Sequence, residues 1–397
     1  MDKPKVVVAG HICLDITPVF PQGLGSGGLA IADVLRAGTL TRVDGVDVHT
    51  GGAVANTGLA MALFGADVSL MGKIGKDAFG SMILDILQKR GAGKGMIVSE
   101  RDSTSYTIVI SVPGLDRVFL HDPGANDGFT LDDLNMDAIR DARLFHFGYP
   151  TLMASMYRNG GDGLVRMFQA VGEAGVITSL DLAAVDERSE AGRADWKAIL
   201  ARLLPSVDVF APSYEELAFM LDRDALERVR ARANGGDVSN ALSIEDDVAP
   251  LAARTIELGA KIAIVKCGAK GLYYRTAGPE RIAEIEGKNG LALSSRMPIS
   301  AKALNPAEPA TGARDWANRE GFEKSYAPSR VLSATGAGDT TIAAFLAAML
   351  EGYSFERCLQ LAAATGASCV EEYDALGGLK TFDELERKID AGWRKSW

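Results

Sequence analysis

The sequence predicts an α/β protein with a mostly parallel sheet, and two observations carry that expectation. Short apolar runs recur at residues 6–9, 68–71, 144–147, 176–180, 207–211 and 262–265, bounded by glycine, proline or acidic residues. Helical patterns separate several of them, as in βα units whose strands are covered on both faces. The chain has 397 residues, 47% hydrophobic and 24% charged, which is enough for one large domain or two with a sizeable core.

Composition narrows the function classes. A formal net charge of -10 argues against a nucleic acid polymer, because a phosphate backbone needs a basic face. A single nucleotide is still admissible, since a local glycine-rich turn and Mg²⁺ can hold it. Cys13, Cys267, Cys358 and Cys369 lie far apart, as do His11, His49, His121 and His146, so neither a disulfide framework nor a transition-metal site is indicated. The apolar run after Lys3 and Lys5 is short and soon meets Asp15, unlike a signal peptide, and no run is long enough to span a membrane. A cytoplasmic location is the expectation.

Two segments break the βα rhythm. Residues 15–50 are long and glycine-rich, and residues 106–112 and 117–121 are strand-like runs around Pro113-Gly114, a hairpin pattern. Together they predict a small β-lid (about 15–50 and 106–121) over the carboxyl edge of the sheet. The charged stretch 223–247 and the stretch 297–329, with Pro298, Pro306, Pro309 and Pro328, read as surface insertions in a single domain spanning 1–397. No fixed-period repeat occurs.

The most informative segment runs from Ser333 to Leu350. Ile342, Phe345, Leu346, Met349 and Leu350 recur at helical spacing, so a helix begins near Gly338 and buries that stripe. Gly336, Ala337 and Gly338 form its mouth, where unpaired N–H groups and the positive dipole end accept a phosphate. Asp339, in the first turn, can take a proton from an attacking alcohol, although an acid there also simply complements the dipole.

Gly336-Ala337-Gly338-Asp339 before an alanine-rich helix resembles the C-terminal signature of the ribokinase-like PfkB carbohydrate kinases. Gly51-Gly52 with Asn56, then Gly72, Gly75, Asp77 and Gly80, is similar to the family's N-terminal pattern. The strand ending at Asp15, the run Pro123 to Asn126, and Lys266, Gly268 and Gly271 also fit, so the resemblance spans nearly the whole chain. It implies a three-layer α/β/α sandwich with a small β-lid and transfer of phosphate from ATP, with Mg²⁺, to an alcohol of a sugar-like acceptor. It further implies Asp339 as the base, acceptor binding by Asp15, Gly51, Gly52 and Asn56, a nucleotide loop at Lys266, Gly268 and Gly271, and Glu216 acting on Mg²⁺. A homodimer through the lids is expected by analogy.

The departures from the family pattern are specific. Ser333-Ala334 replaces a leading Asp-Thr that helps form a monovalent-cation site, which argues against potassium activation. Ser213 replaces the asparagine of N-x-x-E, and Asp181 lacks the usual D-x-N-x-R continuation, so the acceptor pocket differs. The Gly23–Gly28 segment satisfies a dinucleotide-binding pattern, but it does not directly follow the first strand. No Walker A motif occurs. A nucleoside kinase of the same superfamily, a phosphosugar kinase and a catalytically silent sugar- or nucleotide-binding regulator stay open as alternatives.

Overall fold

The computed structural model describes residues 3–21, 34–112, 118–295 and 312–396. In chain order its strands are β1 (Lys5–Gly10), β2 (Cys13–Val19), β3 (Gly45–Gly51), β4 (Asp67–Met71), β5 (Lys73–Gly75), β6 (Ile97–Ser99), β7 (Tyr106–Ile110), β8 (Val118–Asp122), β9 (Leu144–Gly148), β10 (Ile177–Asp181), β11 (Val209–Phe210), β12 (Ile262–Lys266), β13 (Gly271–Thr276) and β14 (Glu320–Lys324). Eight of them form one sheet in the order β14-β13-β12-β11-β10-β9-β1-β4. The sheet is parallel from β4 to β12 and antiparallel where β13 and β14 close its far edge.

The continuous apolar runs follow from this layering. Successive side chains of a strand point to opposite faces, so Val6 and Val8 enter one core while Val7 and Ala9 enter the other. Helices Ala53–Leu63, Ala337–Leu350 and Phe355–Cys369 cover the first face. Helices Asp162–Glu173, Trp196–Leu203 and Tyr214–Leu221 cover the second. The result is the three-layer α/β/α sandwich the sequence predicts.

The two off-rhythm segments meet in a separate four-stranded sheet, β3-β2-β7-β8. It grows directly from β1 through a short loop at Ile12. Asn126 holds that loop in place, its side-chain amide donating to the Ile12 carbonyl at 2.8 Å and its carbonyl accepting from the Ile12 N–H at 3.2 Å. One register row of this sheet carries His49, Asp15, Thr107 and His121 side by side. The opposite face leans partly on helix Ala78–Lys89 and leaves Val46 and Leu120 exposed.

Three expectations need correction. Residues 223–247 are not a surface excursion: helix Arg223–Ala233 buries Leu226 and Val229, one turn apart, while its charged residues take the outer face. The expected insertion 297–329 contributes, in its described part, the edge strand β14 and the fully buried Trp316. Its proline content hid a strand too short to show a period. Helix Ala337–Leu350 buries every residue from Asp339 onward rather than a stripe, because it lies between the Phe355–Cys369 and Ala53–Leu63 helices. Alanine is small enough to let both approach.

The Gly23–Gly28 segment lies outside the described residues. All four cysteines are buried and unpaired. Among the described residues no helix is long and apolar enough to cross a membrane, and no cluster of three or more His, Cys, Asp or Glu could hold a metal.

Candidate active site

The parallel strands end in one row, the edge where open α/β sheets bind ligands. Gly10 of β1, Gly148 of β9 and Asp181 of β10 are register partners at their carboxyl ends, and Lys266, closing β12, bridges to Ser213 just after β11. The mouth of helix Ala337–Leu350 opens onto this row. Gly336 precedes it at φ 73°, and a Cβ there would stand 2.2 Å from the Ala375 Cβ, so both conformation and space call for glycine. The first-turn N–H groups have no preceding helical turn to bond to.

Asp339 sits in this first turn at 2% exposure. The Asn56 amide donates to its Oδ2 at 2.9 Å, and the Tyr149 hydroxyl donates to Oδ1 at 2.8 Å and Oδ2 at 2.7 Å. Burial pushes the Asp339 pKa above the ordinary carboxylate range, opposed by the Asn56 hydrogen bond, the Lys266 charge and the Tyr149 hydrogen bond. The carboxylate is thus aimed, desolvated and basic.

Gly51 and Gly52 bring the small sheet to this point. A Cβ on Gly51 would lie 2.2 Å from Asp15 Oδ2, and one on Gly52, at φ 86°, would lie 2.6 Å from the His11 carbonyl oxygen. Gly52 also starts the helix that carries Asn56. Burial raises the Asp15 pKa, hydrogen bonds from Cys13 and Thr107 lower it, and the charge of Asp339 raises it again. The structure therefore brings Asp15, Asn56 and Asp339 together.

Lys266 departs from its expected position along a nucleotide loop. Its ammonium turns inward, 2.6 and 2.7 Å from the two oxygens of the fully buried Asp181. A Cβ placed on Gly338 would lie 3.3 Å from this nitrogen, so the charge rests against the glycine-rich turn. Burial pulls the Lys266 pKa down, but the charges of Asp181, Glu216 and Asp339 outweigh it and hold the ammonium protonated. Gly268 lies in the turn after β12, and Gly271 opens β13 opposite Lys324 of β14.

Glu216 closes a capping box. Its Oε2 accepts from the Ser213 N–H at 2.7 Å, while Ser213 Oγ accepts from the Glu216 N–H at 3.2 Å. One carboxylate oxygen remains for the site. That suits Mg²⁺, which is commonly held by one or two carboxylates together with substrate phosphates and water.

Tyr149 and the pair His11–His121 escaped the sequence reading. His11 Nε2 lies 3.3 Å from His121 Nε2, whose ring also bonds Thr107 Oγ1 at 3.0 Å. Burial lowers both imidazole pKa values, so the pair is neutral. Tyr149 had one signal, its place directly after the glycine that ends β9 at the carboxyl edge.

Comparison with known proteins places the chain in a family. The model of the pfkB family carbohydrate kinases matches residues 5–286 and 310–381. Fructokinase-2 of Oryza sativa subsp. japonica is 30% identical over 285 residues, 69% of this chain and 71% of that protein. An uncharacterized sugar kinase of Archaeoglobus fulgidus is 23% identical over 81% of this chain and 98% of its own. The structure of Arabidopsis thaliana ribokinase complexed with ribose and ATP shares the fold with a TM-score of 0.67 at 20% identity, covering 97% and 98% of the two chains. The nucleoside kinase of Methanocaldococcus jannaschii shares it with a TM-score of 0.61 at 16% identity, covering 98% and 100%. With a family match running from β1 through the helix that carries Asp339, the chain belongs to the pfkB family of carbohydrate kinases.

Proposed function

We propose that the protein transfers the γ-phosphate of ATP to an alcohol group of a small sugar or sugar-like acceptor, with Asp339 as general base. The observation that carries this reading is the buried Asp339 carboxylate, oriented by Asn56 and Tyr149 at the mouth of a glycine-rich helix beside the Lys266 ammonium. Asp339 takes the acceptor's proton as its oxygen attacks. The first-turn N–H groups at Gly338 and Asp339, with Lys266, stabilise charge on the phosphoryl oxygens. Asp15 and Asn56 orient the acceptor, the first by accepting from its hydroxyls and the second by donating. Glu216 would hold Mg²⁺, which neutralises charge on the ATP phosphates. Ser333 replaces the family's cation-site aspartate and Lys266 supplies a fixed positive charge, so potassium is not required in this reading.

A nucleoside acceptor is the second reading. The rings of His11 and His121, with centroids 5.1 Å apart, and of His11 and Tyr149, 6.0 Å apart, form an aromatic wall that suits a planar base.

The test is ADP release from Mg-ATP against pentoses, hexoses, ketodeoxy sugar acids, phosphosugars and nucleosides, with Asp339→Asn run in parallel. One responding acceptor class, lost in the variant, supports transfer and names the substrate. Tight ATP binding with no response to any acceptor would favour a ligand-binding regulator instead.

A further inference from the structure

A phenol hydrogen-bonded to both oxygens of the base has a consequence for water as well as for the acceptor. Asn56 donates to one Asp339 oxygen only, whereas the Tyr149 hydroxyl lies within hydrogen-bond distance of both and so occupies the space between them. Its backbone is held in a costly conformation. A bulky residue directly before proline belongs in the extended region, yet Tyr149, preceding Pro150, has φ 66° and ψ 42°. The Tyr149 N–H donates to the Asp181 carbonyl at 3.2 Å, and its carbonyl accepts from Leu152 at 3.0 Å. The surrounding turn therefore over-determines the strained position, a pattern that marks functional sites. Burial pushes the phenol pKa well up, so the group stays a neutral donor. Solvent reaches part of the residue, although its phenol is buried among the groups of the site.

We propose that Tyr149 occupies the acceptor hydroxyl's place on Asp339 while the acceptor is absent, keeping water off the base, and gives way when an alcohol binds. The inference rests on Asp339 being the base. Tyr149 is thus a positioning residue that suppresses transfer of phosphate to water, ATP + H₂O giving ADP and inorganic phosphate with the proton released to Asp339.

The experiment uses Tyr149→Phe and, should that variant fold poorly, Tyr149→Gly, since glycine accepts positive φ freely. ADP release is measured without acceptor, and the pH profile of kcat/KM with one. Acceptor-free ADP release should rise roughly tenfold or more, as water gains access to a general base. The acidic limb should move to higher pH, because Asp339 loses a hydrogen bond that favours its charged form. Unchanged acceptor-free hydrolysis and an unmoved acidic limb in a folded, ATP-binding variant would overturn the proposal. Adding Asp339→Asn separates the two readings. Hydrolysis that survives in the double variant removes Asp339 as the base. If hydrolysis in Tyr149→Phe is no higher than wild type while Asp339→Asn alone abolishes transfer, only the role of Tyr149 fails.

Discussion

The large and small sheets meet at the same site but are buried very differently. Every residue of β9 and β10 is buried, with helices on both faces, whereas four of the five residues of β8 are exposed. The first arrangement holds Asp181 in a fully buried frame, where it pairs with Lys266 at the end of β12. The second carries His121 on an exposed edge strand, the kind of element that opens locally at low free energy.

The largest expected effect lies on the rigid side. Asp339→Asn should lower kcat by about 10²–10⁴ and leave ATP affinity nearly intact by calorimetry. As the proposed base, Asp339 acts only when ionised. Burial raises its pKa, so activity should fall with decreasing pH at a higher pH than an ordinary carboxylate would give. Comparable turnover in the variant would remove the base assignment.

Lys266→Met should reduce kcat by about 10²–10³ and destabilise the fold by about 1–3 kcal/mol, because the Asp181 carboxyl, whose pKa burial pushes up to about 7, loses its buried partner. Urea melts can separate these effects: adding Asp181→Asn should restore stability but not turnover. Recovery of both would make the pair purely structural.

A smaller effect belongs to the small sheet. Asp15→Asn should raise the acceptor KM roughly tenfold, in line with the loss of a charged hydrogen bond, without moving the ATP KM. A matching rise in both constants would mean that Asp15 acts on the whole site. The smallest is Leu120→Lys on the exposed face, which should change stability by no more than about 0.5 kcal/mol. If the lids pair two copies, it should shift the sedimenting species from dimer to monomer; a species that is unchanged, or monomeric from the start, would discard the lid-paired dimer.

Much of this was legible from local pattern. Continuous apolar runs marked the buried strands because burial on both faces leaves no polar register. The Gly336–Asp339 turn was legible because glycines at a helix mouth leave its N–H groups uncovered, and Gly51-Gly52 through the family resemblance; the structure adds the reason, that Asp15 and His11 approach too closely for a side chain. The β14 edge strand and the Arg223–Ala233 helix were misread because composition dominated short periods. The capping role of Glu216 is fixed by Ser213 three positions earlier, a spacing visible in the sequence.

By itself, the sequence determined the layers, the glycine-rich turn and the acidic residue in its first helical turn, since each is set by neighbours within a few positions. Only the tertiary structure decided that Lys266 turns inward to Asp181, 85 residues away in sequence, and that Tyr149 reaches Asp339, 190 residues away. Those pairings depend on which strands lie side by side and on the low dielectric of a buried edge, where an unpaired charge is costly and a partner from any part of the chain is held firmly.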